Sequence, residues 1–256
     1  MIGRYIFGLI MGAASVAVLF FLIKIESRWQ FVVVWLVWLV VLGVVGWYFN
    51  ANRQHGISRD LPLTLASAAA GTILLVLLED DLWRNGLVVF IGLIIFFLFS
   101  QIARRASGLS YEEKPYRRMR MMLWVFVAYS VLTLVYALGS FFPALPFWLE
   151  SLVGSAVVGI ISLLIWQMYF AVDWRNLLLW SLIIALAVWE TIWAQDFLPF
   201  GYLVLGALTT WVWYIMQLFL RFHLSRQGIV WRKQAYFLTI NVVLYILMLW
   251  MFVRWI

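Results

Sequence analysis

Residues 5–23 read YIFGLIMGAASVAVLFFLI, a run without a charge between Arg4 and Lys24. As an α-helix at 1.5 Å per residue it would be roughly 28 Å long, close to the ~30 Å hydrocarbon core of a bilayer. The next run, residues 29–52, opens WQFVVVWLVWLVVLGVV and is equally free of charge. Comparable uncharged stretches fill 61–78, 85–103, 121–149, 151–172, 176–189, 197–220 and 234–253. A transmembrane β-strand would alternate apolar and polar residues. These unbroken runs therefore predict helices, and the fold class is an all-α, polytopic transmembrane bundle of about nine spans.

Composition agrees. Of 256 residues, 66% are apolar and 11% charged, against about 25% charged in an average soluble domain. Mean hydropathy is +1.01. These values exclude a soluble globular protein and a disordered chain. Cysteine is absent, which removes disulfides, thiolate catalysis and cysteine metal sites. The net charge is +7. In a soluble chain that would suggest nucleic acid. Here basic loops facing the cytoplasm and anionic headgroups explain it, and no nucleic-acid partner is expected.

The expected spans are 5–24, 29–50, 61–79, 85–103, 120–141, 147–170, 174–195, 198–221 and 235–254, forming one integral membrane domain. All five prolines (Pro62, Pro115, Pro143, Pro146, Pro199) lie at proposed helix ends, as the helix-breaking chemistry of proline requires. Pro143 and Pro146 divide the run 121–149 into two helices joined by a tight turn. Asp60 before Pro62, Asp196 before Pro199, and Asp173 before Trp174 read as helix N-caps. Only Phe170, Ala171, Val172 and Asp173 separate the sixth and seventh spans, so an eight-span count with span six or seven re-entrant is the alternative. The first span reads as an uncleaved anchor, because Glu26 and Arg28 follow it where a small-residue cleavage site would stand.

Orientation follows from the basic residues. Alternate loops divide the 18 lysines and arginines 14 to 4. The richer side is cytoplasmic. The N-terminus is then expected inside and the C-terminus outside, in a cytoplasmic-type inner cell membrane. Glu79, Asp80, Asp81 and Asp196 fall on the outer face. Trp29, Trp47, Trp83, Trp148, Trp174, Trp193, Trp231 and Trp255 sit near interfaces, where indoles prefer to lie. Trp35, Trp38, Trp124, Trp180 and Trp250 sit deeper.

A parallel four-helix repeat is a further expectation. Spans three, four and five can be laid on seven, eight and nine at an offset of 115 to 120 residues, giving halves 1–119 and 120–235. Small residues mark helix seams where there is no hydrophobic drive between helices. Gly8 and Gly12, then Thr64, Ala68 and Thr72, then Ser151, Ser155 and Gly159, then Gly206 and Thr210 each share one helix face. Such faces serve the chain itself, a protein partner or a second copy.

Ionisable groups at bilayer depth are functional candidates. Glu150 and Glu190 both approach the outer leaflet. With Gln195 and Asp196, and with Thr191 and Trp189 beside them, they form the candidate substrate or proton site. Gln167, Tyr169, Gln217 and Asn241 are expected to bridge helices. Neither histidine, His55 or His223, lies mid-span, so no intramembrane haem or histidine metal site is expected, nor any cofactor. No lysine lies mid-span to anchor a retinal. No phosphate-binding loop, dinucleotide fingerprint, zinc-protease motif or nucleophile elbow occurs. The loop 103–120 is the longest polar segment. Its Arg104, Arg105, Arg117 and Arg118, with Arg232 and Lys233, suit anionic headgroups, and Ser110 with Glu113 reads as a capping box. The pattern favours a non-enzymatic membrane component, such as an accessory, scaffold or assembly subunit. The alternatives are a small proton-linked transporter or channel and, third, a lipid-acting enzyme.

Overall fold

A computed structural model describes residues 2–51, 60–102, 113–169, 174–224 and 231–252. Among these residues it contains nine α-helices and no strand. They are α1 (Ile2–Ile23), α2 (Arg28–Ala51), α3 (Asp60–Leu77), α4 (Asp81–Ile102), α5 (Glu113–Phe141), α6 (Phe147–Tyr169), α7 (Trp174–Asp196), α8 (Tyr202–His223) and α9 (Trp231–Phe252). All except α3 are long and apolar enough to cross a membrane. The chain is a membrane-embedded helical bundle.

The contacts divide it into two compact units, Met1–Val127 and Ala128–Ile256, with the boundary inside α5. In the first unit α1 and α4 meet most closely. A Cβ on Gly8 would lie 2.8 Å from the Phe96 carbonyl oxygen, and one on Gly12 would lie 2.9 Å from that of Gly92. Only glycine allows this approach. The Gly8/Gly12 face is thus a seam within the chain. Ascending α1 from residue 8 to 12 descends α4 from 100 to 92, so the two helices run antiparallel.

That direction bears on α3. It has 18 residues, or roughly 27 Å at 1.5 Å per residue. It lies antiparallel to α2: Gly46 faces Leu61, Gly43 faces Leu65, and the Trp35 indole N–H donates to Thr72 Oγ1 at 3.1 Å. An α3 lying along the surface would leave α1 and α4 parallel. It therefore passes through the same layer as its neighbours. Leu63, Thr64, Ser67, Ala68, Thr72 and Leu75 are all buried. The element that departs from span length is thus α3, whereas α6 and α7 are both of full length.

In the second unit α6 and α7 pack antiparallel. Gly159 lies against Ala185 and Ser181, whose hydroxyl donates to the Gly159 carbonyl at 2.6 Å, and the Trp189 indole N–H donates to Ser151 Oγ at 3.0 Å. Gly206 of α8 sits against the backbone of Thr133 in α5. Helix α9 is peripheral: Tyr236, Ile240, Leu247 and Trp250 are all exposed. An exposed apolar face in such a bundle is the face that meets lipid or another membrane protein.

Several helix ends differ from the sequence reading. Asp196 ends α7 and does not cap α8. Pro199 lies in the connection, and α8 starts at Tyr202 behind Gly201, whose extended backbone (ψ 154°) and carbonyl receive the N–H groups of Val204 and Leu205. The proline denies its predecessor helical geometry, which delays the start. Helix α5 begins at Glu113, well before residue 120. Pro115 falls in its first turn, where a missing N–H costs nothing, so Arg117, Arg118 and Arg120 stand on helix and not on a loop. The break at Pro143 and Pro146 is a tight turn between α5 and α6, as expected. Asp80 caps α4: its carboxylate accepts from the backbone N–H groups of Leu82 at 2.8 Å and Trp83 at 3.2 Å. Asp173, Ser110, Arg104, Arg105, His55 and Trp255 lie outside the described residues.

Candidate functional site

The four candidate residues fall in three different settings, all in the second unit. Gln195 is buried, at 4% exposure. Its amide Nε2 donates to the Tyr245 hydroxyl of α9 at 2.8 Å, and its Oε1 accepts from Thr209 of α8 at 2.5 Å. The Tyr136 hydroxyl of α5 lies 2.7 Å from Thr209 Oγ1. One chain of hydrogen bonds thus joins α9, α7, α8 and α5. Thr209 has a single hydrogen, so a consistent assignment has Tyr136 donating to Thr209 and Thr209 donating to Gln195.

Asp196 and Glu190 are exposed. Asp196 is the last residue of α7, one position beyond the buried Gln195. Glu190 lies on a different face of α7 from Val188, Ile192 and Gln195, which are buried. Glu150 is in the first turn of α6. Both of its carboxylate oxygens are enclosed and have no hydrogen-bond partner. One of them lies 3.6 Å from the point a Cβ would occupy on Gly139 of α5, so the carboxylate packs beside that helix. Glu150 is thus enclosed, Glu190 and Asp196 are exposed, and Gln195 is engaged with hydroxyls.

A second polar chain lies deeper. Ser162 of α6 donates to the Val158 carbonyl at 2.8 Å. Its oxygen accepts from the Trp213 indole N–H at 3.0 Å and from the Gln217 amide. Trp213 is fully buried. The Asn241 Oδ1 of α9 accepts from the Trp211 indole N–H at 3.1 Å. Gln217 and Asn241 thus bridge helices, as their chemistry predicts. Thr191 donates to its own helix, at the Ala187 carbonyl. Tyr136, Thr209, Tyr245, Ser162 and Trp213 were not singled out by sequence. A hydroxyl or indole within an apolar run reads as packing until its partner is known.

Between α6 and α7 lies a cavity of about 560 Å³. It is walled by aliphatic side chains with Gly159, Ser155, Ser181, Trp174 and Trp189, and by neither Glu150 nor Glu190. Among the described residues no three His, Cys, Asp or Glu side chains are grouped to hold a metal ion.

Trp29, Trp47, Trp83, Trp148, Trp174 and Trp193 are exposed, whereas Trp38 and Trp124 are buried. Trp35 and Trp180 are half-buried, and Trp250 is exposed on α9. Arg117 and Arg118 are exposed on α5. Arg120 is buried and stacks over the Tyr116 ring at 4.4 Å.

In comparisons with protein-family models, curated proteins and solved structures, the chain matches none of them.

Proposed function

We propose that the chain is a non-enzymatic membrane component, an accessory, scaffold or assembly subunit that acts through its lipid-level helix faces. The observation that carries this reading is where its intramembrane polar groups are spent. Tyr136, Thr209, Gln195 and Tyr245 bond to one another across four helices, and Ser162, Trp213 and Gln217 do so across two. Such bonds hold helices in register. They leave the exposed apolar faces, that of α9 among them, as the surface offered to a neighbour. In this reading the N-terminus is cytoplasmic, and Arg117 and Arg118 meet anionic headgroups on that side. Native mass spectrometry of protein extracted gently from its own membrane tests it. A stoichiometric protein partner is expected. A lone chain or a homo-oligomer would count against it.

A second reading rests on Glu150. A carboxylate closed from solvent and without a hydrogen-bond partner is suited to carrying a proton, which favours a small proton-linked transporter. Flux in proteoliposomes, comparing the wild type with Glu150→Gln, tests it. Transport lost in the variant supports this reading, and equal flux removes it.

A further inference from the structure

The first unit has a cavity of about 350 Å³ at the end where α1 passes to α2 and α3 passes to α4. Its floor is apolar, built from Leu22, Ile25, Phe31, Leu75 and neighbours. Its mouth is charged, and carries Glu26, Ser27, Arg28 and Arg84. Trp29 and Trp83, each adjacent to one of these arginines, are 81% and 69% exposed. Both stand in the first turn of a span, α2 or α4, where indoles lie at headgroup depth, so the mouth meets the headgroups and the floor meets the upper acyl region. Arg84 pairs with Asp81 through Nη1 at 3.5 Å, which leaves its enclosed Nε without a partner. Arg28 is exposed. Guanidinium groups suit phosphate oxygens through paired N–H donors.

The signs at the mouth choose among lipids. Two arginines attract a phosphate, but Glu26 stands beside them and Asp81 already offsets Arg84. A purely anionic headgroup would be drawn by the first and repelled by the second. A headgroup with a phosphate and a cation satisfies both. We propose that this cavity binds a zwitterionic phospholipid bearing a primary ammonium, its phosphate at Arg28 and Arg84 and its ammonium at Glu26. A primary ammonium has three N–H donors for a carboxylate, whereas a quaternary choline has none.

The test uses delipidated full-length protein in detergent micelles, titrated with phosphatidylethanolamine, phosphatidylcholine or phosphatidylglycerol and read by native mass spectrometry. Glycerophosphoethanolamine, which has the headgroup and no chains, is the fourth probe. Phosphatidylethanolamine is expected to bind at least about tenfold more tightly than the other three. The double variant Arg28→Gln/Arg84→Gln should lose that advantage. Glu26→Gln, which keeps both arginines, should weaken phosphatidylethanolamine and strengthen phosphatidylglycerol, so the assignment does not rest on one variant's folding. Equal binding of the three lipids overturns the proposal. So does a preference unmoved by either variant. Binding of the chainless probe as tight as that of the lipid would assign the cavity to a soluble phosphate ester instead.

Discussion

The α1/α4 seam gives the sharpest stability prediction. Replacing Gly12 by alanine places a methyl 2.9 Å from both the Gly92 carbonyl oxygen and Phe96 Cβ, where ordinary contact begins at 3.4 Å. The obstacles include backbone, so the helices must part by about half an ångström. A gap of about 0.5–1 Å forfeits a quarter to a half of the attraction of each contact along the seam. Overpacking of this kind costs about 1–3 kcal/mol. Alanine also gains up to about 1 kcal/mol in helix propensity over glycine, and that gain must be removed from the comparison. Gly86 of α4 supplies the reference, since a methyl there meets nothing within 4 Å. The difference between Gly12→Ala and Gly86→Ala is then the clash alone, about 1–3 kcal/mol, or roughly a 5- to 150-fold shift in the folded ratio. Adding Gly8→Ala should cost less than its own single variant, because one separation relieves both contacts. Reversible unfolding in mixed detergent micelles measures these values. Gly12→Ala as stable as Gly86→Ala would refute the close seam.

Three further outcomes follow from the geometry. Gln195→Leu removes the hub of the four-helix chain and should cost about 0.6–2 kcal/mol; its double-mutant cycle with Thr209→Val should show coupling, and strict additivity would contradict the bond between them. Asp80→Ala leaves the first turn of α4 uncapped and should cost about 0.5–2 kcal/mol, whereas Asp81→Asn, which breaks only an exposed pair, should cost about 0–1 kcal/mol; unfolding curves of the two variants, side by side, decide this. Ser162→Ala strands the buried indole N–H of Trp213 and should cost about 1–3 kcal/mol, with Trp213→Phe restoring part of the loss in the double variant.

What could be read from the chain follows the strength of each physical signal. Long uncharged runs cannot be anything but buried in protein or lipid, so the helices were legible, as was the break that Pro143 and Pro146 impose. The Gly8/Gly12 face announced a seam, but nothing local says that α4 lies across it. Asp196 followed by Pro199 has the composition of a cap, yet α7 runs on to include the aspartate, and the proline defers α8 to Tyr202. Pro115 reads as a residue at a helix end, and it lies in the first turn of an α5 that starts earlier than residue 120. Of the four candidate site residues, polarity at depth drew attention to each, but which face of its helix each occupies depends on neighbours. Gln195 turns inward to Thr209 and Tyr245. Glu190 turns outward. Glu150 is enclosed beside residue 139, which stands on another helix.

The proposed role sets the outward face of α9 against a protein neighbour while the inward polar residues hold the bundle. Photo-crosslinking in native membranes tests this directly, with a diazirine side chain placed singly at outward Ile240 or Leu247 and at buried Leu75 or Leu132. A discrete protein adduct is expected from the two α9 positions and none from the two buried ones. Adducts to lipid alone from every position would contradict it.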